Sequence, residues 1–492
     1  MGLRVLAILY SGALAGWILS RRHPRDALLP LLLASLVGVP LLILGNSSAG
    51  GVFATDIALA AYAMRFARTC QRQFLRHANR HDVLTVFAIL AAWATLRSIV
   101  ASFEEPAIAK FVIYGSIRWW LFFACVVIFF GQKLGEAEYT RLLKGFGVGL
   151  FVFAAACISH QKGLLDLSGA DTLGTRATET LEQRRDAQDD GMAFEHRRFL
   201  AMTSPNTAGV CISGIWVAAA LLCRTRHNRT IWALLAVLLF LALAGTWSRS
   251  DMVGLIAALC VGIILFARIL GYRSNAGMSL ALILVPIVMI GGYLWLVLSH
   301  TQPDLSETPT IERYATVFQS YSTKAEGTGA HRIHEHTAMF RHVRGQPALI
   351  AAGLGANGYK RLAWDGVATM GFGHNIYLHT ICELGLLGVI LLSLWLWLAV
   401  RPHVPVLVPA ATAALKRQQY MSLLVLALLV QRLVAGWGAD TILATGGMLE
   451  ANILFLAAVG TTFAAYGPPL PATERPQPAS RKERAVWLAL VH

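Results

Sequence analysis

The residues best suited to chemistry lie where polar segments of the chain run into apolar ones. Gly373-His374-Asn375-Ile376-Tyr377-Leu378 ends a long polar segment and opens an apolar one. His374 falls at that boundary, and an imidazole titrates near neutral pH, so it can accept a proton there. Asn375, His379 and Glu383 follow at intervals of four, which on a helix makes one polar stripe running inward. Arg249 sits in Trp247-Ser248-Arg249-Ser250-Asp251, between two apolar runs, and Arg97, Arg118 and Arg432 lie within such runs. A lone arginine in hydrocarbon costs ~2.5–3.5 kcal/mol to insert, so these positions call for a reason. A guanidinium is a rigid fork that matches phosphate oxygens. Four of them toward one side of a membrane point to a shared anionic partner, and a diphosphate carried on a lipid tail is of that kind. Each residue also has a plainer use. Arg249 can snorkel to headgroups, Arg97 and Arg118 can hold carbonyls of neighbouring helices, and His379 and Glu383 can hydrogen-bond between helices.

The elements that must position these groups are transmembrane helices. Hydrophobic residues make up 56% of the chain and charged residues 14%, against about 25% charged in a soluble domain. Apolar runs of ~18–23 residues recur from end to end, each able to cross ~30 Å of hydrocarbon. They fall at 3–20, 27–45, 52–67, 83–100, 111–130, 147–159, 207–222, 231–247, 252–266, 279–298, 376–400, 422–435 and 451–465. This predicts an all-α polytopic membrane protein of roughly 12–13 transmembrane helices. The first run starts at residue 3 and has no small-residue cleavage site, so it reads as a retained span. The net charge of +15 follows the positive-inside rule: Arg21, Arg68, Arg224, Arg268 and Arg401 all follow alternate spans, which makes every second connection cytoplasmic. Basic residues dispersed in this way exclude a nucleic-acid partner.

The spans divide the chain into N-terminal helices (1–160), a first outer loop (161–204), central helices (205–298), a large outer loop (299–373), C-terminal helices (374–466) and a cytoplasmic tail (467–492) whose start is rich in Pro and charge and which reads as disordered. Loops of this length are usually functional, and both lie on the non-cytoplasmic face, so the chemistry is expected there. Residues 331–343 read as a helix carrying Arg332, Glu335 and His336 on one face. The histidines around Arg332 do not form a zinc signature: His334-Glu335 would need a histidine at 338, which is Ala338. No metal and no cofactor is expected. Gly353-Leu354-Gly355-Ala356-Asn357-Gly358 matches a dinucleotide fingerprint in letters, but it has no βαβ setting and reads as a tight turn that sets the loop against the membrane. None of the seven cysteines lies in a large outer loop, so no disulfide framework is implied.

The order of these features resembles the O-antigen ligase and polymerase superfamily. The matching elements are Arg197-Arg198 before Ser204-Pro205-Asn206, then Ser248-Arg249 between apolar spans and a long outer loop with an Arg332-headed helix. Pro347, Gly353-Leu354-Gly355, the His374 segment and Glu383-Leu384-Gly385 follow, so the resemblance covers about residues 195–400. Many relatives carry Trp shortly after the loop arginine, where this chain has Glu335 and His336. The resemblance implies a bacterial inner-membrane glycosyltransferase with its active site facing the periplasm. Such an enzyme takes a glycan from undecaprenyl diphosphate and passes it, in lipopolysaccharide or exopolysaccharide assembly, to an acceptor. The acceptor is lipid A–core for a ligase and another lipid-linked repeat unit for a polymerase; the long charged first loop tilts the reading toward polymerase.

By the same resemblance Arg249 and Arg332 bind the diphosphate and His374 is the essential histidine. Arg97, Arg118, Arg197, Arg198, Asn206, Asn375, Tyr377, Glu383 and Arg432 are the expected substrate-binding residues. The chemistry is coherent without a metal. The arginines stabilise the charge that develops on the leaving diphosphate, and His374 takes the proton of the acceptor hydroxyl. Inversion at the anomeric centre is a family expectation. The alternative class is a transporter or flippase for a lipid-linked saccharide, which would use the same arginines and make no bond.

Overall fold

A computed structural model describes residues 2–39, 41–43, 51–76, 81–104, 106, 109–162, 164–165, 167, 199–200, 202, 204–225, 227–246, 248–269, 341, 344–358, 376–404, 413–436 and 449–466. The expected span 279–298, most of both outer loops and the tail lie outside them.

Hydrocarbon offers the backbone no water, so an apolar chain must close its hydrogen bonds inside helices. The helices are α1 (Gly2–Ser20), α2 (Leu28–Ala34), α3 (Ala54–Arg76), α4 (His81–Glu104), α5 (Ala109–Gly131), α6 (Glu136–Gln161), α7 (Ser204–Arg224), α8 (Arg229–Gly245), α9 (Arg249–Ile269), α10 (Pro347–Ala352), α11 (Ile376–Val400), α12 (Ala413–Ala435) and α13 (Leu449–Tyr466). Seven of the described helices are long and apolar enough to cross a membrane, and three shorter apolar helices accompany them. Their surface is that of a lipid-facing protein. Val148 and Val152, then Leu234, Val237 and Leu241, and Leu386 and Ile390 point outward at helical spacing. A water-soluble chain would put polar residues there.

The expected span at 27–45 is corrected by the fold. Only Leu28–Ala34 is α-helical, and the chain then forms a short antiparallel pair, β1 (Leu42–Ile43) with β2 (Gly51–Val52). Sequence gives the reason. Pro40 disfavours helical geometry at Val39, and Gly38 lets the backbone approach Met202 where a Cβ would collide with that side chain. Helices α3 and α6 run beyond the expected 52–67 and 147–159, because polar helix formers extend them out of the apolar layer.

Helix α7 lies at the centre of the bundle, with 78% of its span buried, whereas α1 is peripheral at 22%. Helix α13 packs on α5 and α7, α4 on α5 and α11, and α9 on α12. Small residues allow this closeness: Gly460 of α13 faces Phe129 and Phe130, and Gly254 of α9 lies against the backbone of α12. The two ends of the bundle differ. At one end Arg25 pairs with Glu138 (2.5 Å), and Arg224 donates to Thr140 (2.8 Å) and to the Glu136 carbonyl (2.9 Å). The opposite end holds Asp56, Arg97, Asn206, Ser248, Asp251, Arg432 and Glu450. There Leu167 and Leu200 are tied to each other in a neck. The Leu200 amide donates to the Leu167 carbonyl (2.7 Å), and the Phe199 ring packs on Phe153 and His160.

Candidate functional site

Two constellations occupy that second end. The first is built on a break in α11. Gly385 has φ 65° and ψ −171°, which splits the helix into 376–384 and 386–400. A break in hydrocarbon strands carbonyls, and each must find another donor. The Cys382 carbonyl accepts the Leu354 amide (2.7 Å), Glu383 accepts the Gly355 amide (2.8 Å), and Leu384 accepts the Trp93 indole N–H (2.8 Å). The Gly-Leu-Gly turn therefore stitches the break shut. Gly353 also has positive φ, and a Cβ there would meet the Glu383 backbone; a Cβ at Gly385 would meet Ala351.

A Gly385→Ala substitution is therefore expected to destabilise the protein by about 1–3 kcal/mol from the left-handed backbone alone, with the Ala351 collision in addition. Thermal unfolding in detergent measures it. An unchanged midpoint would mean the break is not held as described.

Helix α4 secures the same turn. Arg97 donates its Nε–H to the Gly353 carbonyl (2.9 Å) and an Nη2–H to Glu104 (3.3 Å), and Ser98 Oγ accepts the Ala356 amide (2.9 Å). Gly115 of α5 lets Ala356 and Asn357 come close. The half-helix 376–384 is tied at its start as well. The Ile376 amide donates to the Gly436 carbonyl (2.8 Å), and the Tyr377 hydroxyl donates to the Leu433 carbonyl (2.9 Å). Within it, His379 Nε2 and Glu383 Oε1 lie 2.8 Å apart, both buried.

The second constellation is a seam of buried polar groups crossing α3, α5, α7, α9, α12 and α13. Ser248 precedes α9, and its hydroxyl donates to Asp251 Oδ2 (2.6 Å); Gln431 of α12 donates to Asp251 Oδ1 (3.0 Å). Arg432 Nη2 donates to the carbonyls of Gly209 (3.2 Å) and Ala451 (3.1 Å), which join α12 to α7 and α13. Asn206 donates to Glu450 (2.5 Å) and accepts the Ala451 amide (3.0 Å). Arg118 pairs with Asp56 (2.7 Å), donates to the Tyr114 hydroxyl, and lies over the rings of Phe53 and Tyr114. Charges in hydrocarbon persist only when compensated, and here each arginine has an acid nearby: Asp56 for Arg118, and Asp251 in electrostatic range of Arg432.

The expected site residues divide accordingly. Arg118, Asn206 and Arg432 lie in the seam, and Arg249 is the first residue of α9, directly after buried Ser248. Arg97, Tyr377 and Glu383 lie at the broken helix. Tyr377 reaches Leu433, next to Arg432, so α12 links the two groups. Arg197, Arg198, Arg332, His374 and Asn375 lie outside the described residues. The sequence reading missed Asp56, Asp251, Gln431 and Glu450. The signal was available: each carries a polar group at the end of an apolar run, on the side where the arginines lie. Among the described residues no group of three or more His, Cys, Asp or Glu is placed to hold a metal ion. Compared with known proteins, the chain matches no protein-family model and no curated protein.

Proposed function

We propose that this chain is a bacterial inner-membrane glycosyltransferase with 12–13 spans, facing the periplasm. It transfers a glycan from undecaprenyl diphosphate to an acceptor sugar in surface-polysaccharide assembly, as a polymerase of lipid-linked repeat units in preference to a ligase to lipid A–core. The observation that carries this reading is the start of α9. Ser248 and Asp251 are buried and tied to each other and to Gln431, so Arg249 begins its helix at a fixed point. A helix N-terminus favours an anion, and an arginine there adds a phosphate-matching fork. The internal partners of Arg97, Arg118 and Arg432 favour a support role for those three, which leaves the diphosphate to Arg249 and Arg332.

In the proposed reaction the acceptor hydroxyl attacks the anomeric carbon while the bond from that carbon to the diphosphate oxygen breaks. The electron pair leaves with the lipid diphosphate, whose charge Arg249 and Arg332 stabilise. The hydroxyl proton passes to His374. The buried His379–Glu383 pair in a broken helix favours a second reading, a transporter, since interrupted helices line many transport sites.

One experiment separates them. Purified protein in proteoliposomes is given an undecaprenyl diphosphate-linked repeat unit, with and without lipid A–core and with chelator. A ladder of products without lipid A–core is the expected result, and chelator is expected to leave its rate unchanged. Glycan found only on lipid A–core would make the protein a ligase. Movement of the lipid-linked sugar across the bilayer with no new glycosidic bond would replace the enzyme with the transporter.

A further inference from the structure

We infer that Arg97 is a positioning residue: through the Gly353 carbonyl it clamps the Gly-Leu-Gly turn onto the break in α11 and so fixes the half-helix 376–384. The inference rests in part on the proposed function, because residue 374, the proposed base, precedes that half-helix by two positions in sequence. Its geometry stands without it. The clamp is a chain of contacts in which each part immobilises the next. Arg97 Nε holds the Gly353 carbonyl (2.9 Å), and Ser98, one residue on, takes the Ala356 amide (2.9 Å). Between those two anchors, Leu354 and Gly355 donate to Cys382 and Glu383. Glycine is required at every close approach: Gly353 against Glu383, Gly355 against the Ser98 backbone, Gly385 against Ala351 and Gly115 against Ala356. At these points the backbones of α4 and α5, the turn and the half-helix approach too closely for a Cβ, so the clamp has little slack. The far end of the half-helix is held by α12. Arg97 is a charged side chain that donates to this turn, and its second partner, Glu104, is half exposed. An exposed pair of that kind contributes little, which leaves the Gly353 carbonyl as the contact that matters.

This differs from a role in binding the diphosphate. A ligand arginine sets donor affinity, whereas a positioning arginine sets the geometry of a group elsewhere. The test compares wild type, Arg97→Met and Arg97→Lys by backbone hydrogen exchange in detergent and by transfer kinetics in proteoliposomes. Arg97→Met is expected to raise exchange in 353–358 and 376–384 by tenfold or more, with the rest of α4 unchanged. It is expected to lower kcat at least tenfold with donor KM within twofold. Arg97→Lys, which keeps one donor within reach of Gly353, is expected to restore most of both. Unchanged exchange with a raised donor KM would overturn the inference and make Arg97 a ligand residue, while leaving the glycosyltransferase reading intact. Wild-type protein that transfers no glycan would overturn that reading instead, and the exchange result then decides the clamp alone: faster exchange supports it, unchanged exchange overturns it.

Discussion

His374→Ala protein is expected to lose about 10²–10⁴-fold in transfer rate, the usual contribution of a positioned acid–base group. The loss should fall on kcat, because in the proposed reaction the imidazole takes a proton only as the acceptor oxygen forms its new bond. Binding of the lipid-linked donor, measured separately, should stay near wild type. Arg249→Ala should cost about 10²–10³-fold, the scale seen when one donor to a developing oxyanion is removed. Arg249→Lys should recover little, since a point charge cannot reproduce the bidentate fork. The two variants can be told from unfolded protein by their thermal midpoints. Wild-type turnover in purified His374→Ala protein would remove the assigned base.

The largest effect on stability is expected from the Arg118–Asp56 pair. Removing one partner of a buried ion pair leaves an uncompensated charge, which costs about 3–5 kcal/mol in soluble proteins. The environment here is no more forgiving, with the Arg118 side chain 6% exposed and Asp56 16%. Asp56→Ala should therefore lower the unfolding midpoint in detergent sharply and reduce the yield of folded protein. Replacing both, as Asp56→Leu with Arg118→Met, should recover much of the loss, because a pair of apolar side chains needs no counter-charge. A double variant as unstable as Asp56→Ala would mean that the packing of Arg118 on Phe53, rather than the charge pair, holds the start of α3 to α5.

Much of the architecture was legible because hydrocarbon imposes one rule on every span. Among the described residues most long apolar runs became helices. The run at 27–45 misled because hydropathy sums side chains and is blind to backbone geometry; the α-helix stops at Ala34 while the residues after it stay apolar. The spacing of Asn375, His379 and Glu383 correctly placed the last two on one face, yet it could not reveal the break at Gly385, where the turn from Gly353 takes over the backbone bonds. The arginines were found by their cost, but their partners were not. Asp56 and Glu450 come together with Arg118 and Asn206 only through helix packing, and a single sequence carries no signal for which helices touch.

The tied neck between Leu167 and Leu200 has a consequence for how such a chain can change. One backbone bond, Leu200 to Leu167, and one buried ring, Phe199 on Phe153 and His160, hold together the two points that residues 168–198 connect in sequence. Doubling the length of a flexible loop adds only about 0.6 kcal/mol of closure entropy. A segment of different length or composition can therefore be grafted between those two points with little strain on the helices below. If partner choice resides in that segment, exchanging it between related chains would transfer preference as a cassette while the machinery underneath stays the same.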